Sequence, residues 1–196
     1  MSDVDVRVVH DPAAAAADLL AEAARAGARI ALSGGSTPKI LYELLADEPF
    51  LDQVPWSRTH FFWSDERHVP PEHPESNYRM AHEAMLSRVP VPESNVHRVR
   101  SENPSAQEAA DEYEQTVVPR LDLILLGLGA DGHTASIFPD SEVLHETKRL
   151  VAAPWVEKLN AYRITMTLPL LNNGASVLFL VSGKEKAEIV KEVLEG

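Results

Sequence analysis

Cysteine is absent from the 196-residue chain, which excludes disulfides, thiolate nucleophiles and zinc–cysteine sites. No apolar run approaches the roughly 20 residues that cross a bilayer as a helix. The start, Met1 to His10, is polar and charged and does not read as a signal peptide, so the expected compartment is the cytoplasm. A basic balance is also missing: 18 Lys and Arg stand against 30 Asp and Glu, for a formal charge of −12. Non-specific nucleic-acid binding needs a positive footprint, so neither nucleic acid nor membrane is an expected partner. The same acidity opposes an anionic small ligand. A phosphate would need a local cluster of cations set against the overall field, which makes individual Arg and Lys positions worth locating. There is no internal repeat, no linker and no low-complexity tract beyond Ala13–Ala17.

What remains is ordinary for a globular protein. Hydrophobic residues make up 44% and charged residues 24%, enough for one core, and a single domain over 1–196 is expected. Asp11-Pro12 and the Ala/Leu run after it read as a cap and a helix to about Ala26, stopped by Gly27. Further helices are expected at 39–46, capped by Thr37 and opened by Pro38, and at 77–87, 105–118 and 184–195. Strands are expected at 28–32, 58–64, 96–100, 121–126, 149–153, 162–168 and 175–181, with a loop at 65–76. The run LDLILL at 121–126 is nearly all apolar, as in a strand covered on both faces. Alternating strands and helices predict a Rossmann-like α/β fold, a three-layer sandwich around a mainly parallel sheet. In such sheets ligands bind beyond the carboxyl ends of the strands.

Three loops leave strands at that edge. The first, Ser33-Gly34-Gly35-Ser36-Thr37-Pro38, combines glycines, hydroxyls and a helix start, the ingredients of an anion cradle. It lacks the Gly-Lys-Ser/Thr ending of a nucleotide P-loop, and an ordinary capped turn is the competing reading. The second carries Asp65, Glu66, Arg67 and His68. A solvated charge run is the usual explanation, but Arg67 at a sheet edge is also a natural bidentate partner for phosphate. His68 and His73 lie near Glu66, Glu72 and Glu75, yet without regular metal-ligand spacing, so no metal site is expected. The third loop, residues 127–133, contains a literal G-x-G-x-x-G. Pro139 leaves no room for a long helix after the third glycine, and no acidic ribose-binding residue ends the next strand, so a dinucleotide is not expected. The loop does offer Asp131 and His133, one residue apart. A carboxylate holding an imidazole in one tautomer makes a general base for neutral pH. Arg163 and Lys184 add positive charge. Lys184 is oddly placed, because a cation at a helix start opposes the dipole unless an anion sits beside it.

These segments resemble a known family. SGGSTP at 33–38, WSDERHVPPEHPESNY at 63–78, LILLGLGADGHTASIFP at 123–139, RITMTLPLLN at 163–172 and LVSGKEKAE at 180–188 occur in the order seen in 6-phosphogluconolactonases. The resemblance covers nearly the whole chain. The sister glucosamine-6-phosphate deaminases and isomerases share several loops, but usually have Asp-Glu-Tyr where this chain has Asp65-Glu66-Arg67. They also differ after Gly132-His133, where this chain continues Thr134-Ala135-Ser136. The resemblance implies hydrolysis of a sugar-phosphate lactone by water that His133 activates, with no metal or organic cofactor. It implies that Gly34, Gly35, Ser36 and Thr37 line the substrate pocket, that Arg67, Arg163 and Lys184 are the cationic contacts to substrate, and that Asp65 and Asp131 are orienting carboxylates, Asp131 beside the catalytic His133. A covalent route through Ser136 is not expected, since no G-x-S-x-G elbow is present. Family members usually continue past Glu195-Gly196, and the join at 114–121 looks shortened. The competing functions are an amino-sugar phosphate deaminase or isomerase and a non-catalytic sugar-phosphate sensor. Oligomeric state is not legible.

Overall fold

A computed structural model describes residues 4–196; Met1 to Asp3, the beginning of the polar start, lie outside the described residues. The first helix, α1 (Pro12–Ala24), opens as its sequence predicts. Asp11 Oδ1 accepts from the Ala14 N–H at 3.0 Å, and Pro12 occupies a first-turn position whose N–H would have no partner anyway. Gly27, at φ 80°, turns the chain into β1 (Arg29–Leu32). The helix α2 (Ser36–Leu45) follows, then α3 (Phe50–Gln53), β2 (His60–Trp63) and β3 (Asp65–Arg67). Next come α4 (Asn77–Ala81), α5 (Ala106–Thr116) and β4 (Leu123–Leu126). The chain closes with β5 (Val151–Ala152), β6 (Trp155–Val156), β7 (Ala161–Met166), α6 (Leu168–Leu171), β8 (Val177–Phe179) and α7 (Ala187–Glu195).

A four-stranded parallel sheet in the order β2-β1-β4-β8 forms the centre. All four residues of β4 are buried, so both faces of the sheet are covered, which is the Rossmann-like α/β architecture expected from the alternation. Two buried tyrosines pin the carboxyl ends of the strands. The Tyr42 hydroxyl, on α2, accepts from the Ser33 N–H at 2.9 Å and donates to the Ser33 carbonyl at 2.8 Å. The Tyr113 hydroxyl, on α5, treats the N–H and C=O of Trp63 in the same way at 2.8 and 3.0 Å. Two of the three loops at this edge therefore leave from strand ends whose polar groups are satisfied by helix side chains.

Several elements differ from the sequence reading. Helix α2 begins at Ser36 with Gly35 as its cap, at φ 112°, rather than with Thr37 as cap and Pro38 as opener. Pro38 is accommodated because the first helical turn has no intrahelical use for its missing N–H. The expected strand at 96–100 is reduced to one bridge between Val96 and Phe61. The helix expected at 77–87 continues beyond α4 as a π turn, His82–Leu86, and the one expected at 184–195 opens with a 3₁₀ turn, Lys184–Lys186. Residues 65–67, expected as loop, form a strand. β3 pairs antiparallel with β7, and β7 pairs with β5 and β6, making a second sheet separate from the parallel one. Three charged residues in β3 conceal a strand whose partner lies about a hundred positions away. No helix among the described residues is long and apolar enough to cross a membrane.

Tyr42→Phe leaves the buried N–H and C=O of Ser33 without that hydroxyl. The expected loss of stability is about 1–3 kcal/mol, read as a lower midpoint in urea unfolding with an unchanged slope.

Candidate active site

A cavity of about 600 Å³ lies beyond the carboxyl edge of the parallel sheet. Each of the three loops singled out by sequence reaches it. From the first come Ser33, Gly34 and Gly35. A Cβ on Gly34 would collide with the side-chain amide of Asn77, so glycine here is a packing requirement. Ser36 and Thr37 do not line the cavity. Ser36 is exposed in the first turn of α2, and the Thr37 hydroxyl pairs with that of Ser182 at 2.7 Å, tying α2 to the loop after β8.

From the second loop come Asp65 and Arg67. Asp65 is buried. The Ser136 hydroxyl donates to its Oδ2 at 2.6 Å, and Asn77 Nδ2 donates to its backbone carbonyl at 2.9 Å. Arg67 stands opposite Arg163 in the β3–β7 ladder, placing two guanidiniums side by side on the cavity wall. Arg67 donates to the Glu75 carbonyl. Burial and the Arg67 charge hold the Arg163 pKa below its ordinary value, against the opposing pull of Asp65, Glu75 and Glu66.

Between them sits Glu66, buried and outside the cavity lining, whose carboxylate gathers the whole loop. Oε1 accepts from the N–H groups of Arg67 and Asn77, each at 2.8 Å, and Oε2 accepts from the Tyr78 N–H at 2.8 Å and the Ser76 hydroxyl at 3.1 Å. Burial pushes its pKa up, against the pull of the three backbone donors. His68 and His73 are spent structurally: His68 Nε2 meets the Asn103 carbonyl at 2.9 Å, and His73 Nδ1 accepts from the Glu75 N–H. No group of three or more His, Asp or Glu able to hold a metal occurs among the described residues.

The third loop provides Asp131 and His133. The Gly129 N–H donates to the His133 carbonyl at 2.7 Å, closing a tight turn in which Gly132 adopts φ 84°. His133 Nδ1 lies 2.5 Å from Asp131 Oδ1, and its ring stacks on Phe138 with centroids 4.2 Å apart. A carboxylate at Nδ1 fixes that nitrogen as the donor and leaves the Nε2 lone pair as the acceptor. Burial lowers the His133 pKa; Asp65 opposes this, while Lys186 and Arg163 reinforce it, so the surroundings favour the neutral ring over the charged one. Ser136 is buried, with its hydroxyl committed to Asp65 rather than to His133.

Lys184 is exposed and outside the cavity lining; Lys186, two residues on, lines it instead. The run Gly183-Lys184-Glu185-Lys186 offers two lysines, and only the direction of the 3₁₀ turn decides which one faces inward. Sequence reasoning also passed over Asn77 and Lys158. Asn77 had no signal beyond its place in the matching segment, and Lys158 stands in a short 3₁₀ turn, Glu157–Leu159, with no motif of its own.

Fold and site together define a Rossmann-like α/β protein whose cavity, at the carboxyl edge of the parallel sheet, carries a cationic wall and a carboxylate-held imidazole. The family model described as glucosamine-6-phosphate isomerases/6-phosphogluconolactonase matches residues 4–196, and the chain belongs to that family. A Synechocystis sp. protein named 6-phosphogluconolactonase is 43% identical over 181 residues, covering 87% of this chain and 73% of its own length. Among solved structures, 6-phosphogluconolactonase from Trypanosoma cruzi superposes with a TM-score of 0.85 at 32% identity, covering 97% of this chain and 85% of that one. A monomeric glucosamine-6-phosphate deaminase superposes with a TM-score of 0.86 at 20% identity, covering 100% and 88%, a likeness of fold alone.

Glu66→Gln replaces one acceptor oxygen by an NH₂ that faces N–H donors. The variant is expected to lose about 1–3 kcal/mol of stability. It should also bind phosphate-bearing ligands more weakly, because the anchor that gathers Arg67, Asn77, Tyr78 and Ser76 loses one of its two acceptors. Denaturant unfolding and ligand titration read the two effects separately.

Proposed function

We propose that the chain hydrolyses 6-phosphoglucono-1,5-lactone to 6-phosphogluconate, with His133 as the general base. The observation that carries this reading is the juxtaposition of His133, fixed by Asp131 at 2.5 Å, with Arg67, Arg163 and Lys186 in one cavity. An anionic substrate end and a neutral base are what that lining accommodates, and the names of the relatives supply the substrate class. Arg67 in place of the tyrosine usual in the deaminases favours the lactone over an amino-sugar phosphate. The cytosolic setting, the single-domain organisation and a freely diffusing sugar-phosphate lactone, rather than nucleic acid or membrane, as partner belong to the same reading.

The phosphoryl group sits against Arg67, Arg163 and Lys186, with Gly34 and Gly35 allowing close backbone approach. These contacts lie far from the reacting carbonyl and act by orientation. His133 Nε2 removes a proton from water as the water oxygen bonds to the lactone carbonyl carbon, and the carbonyl π electrons move onto oxygen. Backbone N–H groups of the glycine-rich loop around His133 stabilise that oxyanion. When the intermediate collapses, the bond from the carbonyl carbon to the ring oxygen breaks, and the imidazolium returns its proton to the ring oxygen. Asp131 supports the imidazolium between these steps and keeps Nδ1 protonated. Asp65 is a positioning residue that holds Ser136 and Asn77 at the cavity floor.

His133→Asn is expected to reduce kcat by about 10²–10⁴-fold while leaving affinity for 6-phosphogluconate nearly unchanged. Acid release from freshly prepared lactone, followed against its spontaneous opening, checks the first, and calorimetry checks the second. Near-normal turnover in the variant removes His133 from the mechanism, and ammonia release from glucosamine 6-phosphate would transfer the assignment to the deaminases. For the intact protein, the lowered His133 pKa predicts that the acid limb of kcat/KM has its midpoint below the ordinary histidine value, since the base is active when neutral. A pH–rate profile whose acid limb lies above that value contradicts the electrostatics described here.

A further inference from the structure

The Asp131 carboxylate has two partners. Oδ1 holds His133 Nδ1, and Oδ2 meets the ammonium of Lys158. Lys158 comes from the turn between β6 and β7, a turn ended by Asn160 in the left-handed conformation. Its Nζ lies 4.2 Å from the centroid of Phe138, the same ring that stacks on His133. About half of the lysine side chain is exposed, and pairs of that kind add little to stability. The consequence of the contact is electrostatic. An ammonium on Oδ2 draws part of the Asp131 field away from the imidazole, and so weakens the support for its protonated form.

Other charged groups face His133 from each neighbouring element. Asp65 comes from β3, Arg163 from β7 and Lys186 from the turn before α7, while Arg67 lines the same cavity beside Arg163. Asp65 is buried under hydrogen bonds from Ser136 and Asn77, and Arg67 and Arg163 are set by the β3–β7 ladder. Lys158 differs in two respects. It contacts the carboxylate that tunes the base, and it does so from a flexible stem on an exposed turn. A phosphoryl dianion entering the cavity offers this ammonium a partner of higher charge than a carboxylate already shared with imidazole.

We propose that Lys158 is a ligand-responsive positioning residue: it occupies Asp131 while the cavity is empty and moves to the phosphoryl group when substrate binds, leaving Asp131 to support the His133 imidazolium alone. The sugar-phosphate identity of that ligand rests on the proposed function, whereas the exchange of partners depends only on a dianion entering the cavity. The base thereby gains strength when there is substrate for it to act on.

The test follows the His133 imidazole by heteronuclear NMR titration in the full chain, with and without saturating sulfate. Sulfate is a tetrahedral dianion that does not itself titrate near neutral pH. In the free protein, Lys158→Met is expected to raise the His133 midpoint above wild type, because a positive charge beside Asp131 has gone. With sulfate bound, the two proteins should titrate together, and Lys158→Arg should restore the wild-type pattern in both states. KM for the lactone should rise about tenfold in Lys158→Met, the effect of losing one charge-assisted contact. An equal displacement of the midpoint with and without sulfate means that the lysine never leaves Asp131, and overturns the proposal. So does an unmoved midpoint in the free variant, or a wild-type His133 signal indifferent to sulfate. Lactone hydrolysis with a failed titration pattern removes this inference alone, and the expected pattern without lactone hydrolysis removes the proposed reaction alone.

Discussion

The pairing of β3 with β7 is the constraint on which the rest of the site depends. It sets Asp65 against Thr165 and Arg67 against Arg163, joining one loop of the parallel sheet to a strand from the far end of the chain. Two like charges side by side on a partly buried wall are unfavourable without a counter-anion. The ladder holds them there through backbone hydrogen bonds, and Glu66 beneath it gathers the donors of the following loop. An acidic chain of net charge −12 can receive an anion at this place because its cations are held together locally.

The second organising feature is the division of labour among carboxylates. Asp65, Glu66 and Asp131 lie within one region yet have different partners: a serine hydroxyl and an asparagine amide, a set of backbone N–H groups, and an imidazole with an ammonium. Glu66 is structural and lies just outside the cavity lining. Asp65 links the second and third loops, because the Ser136 hydroxyl that it accepts belongs to the glycine-rich segment. Asp131 faces the chemistry. The separate partners of these three carboxylates explain how a region rich in acidic groups stays ordered.

Much of this was readable from residue order. The apolar run at 121–126, the glycines after it and the aspartate two residues before His133 are local features, set by backbone preference and short-range hydrogen bonding. They marked the parallel core, its carboxyl edge and the imidazole with its orienting partner. The family segments added the direction of the chemistry. Long-range pairings were not readable in the same way. A three-residue strand made of Asp, Glu and Arg carries no alternation, so its place in a second sheet depends on β7, which lies far along the chain.

The same distinction separates Lys184 from Lys186, and Lys158 from any other surface lysine. By itself the sequence determined most of the elements, the order of the loops and the residue types at the sheet edge, because those follow from neighbours within a few positions. Only the tertiary structure decided which lysines face inward, which carboxylate is buried beneath the wall and which two partners share Asp131. Those outcomes depend on the orientation of short turns packed against distant strands, where a rotation of one residue exchanges solvent for cavity.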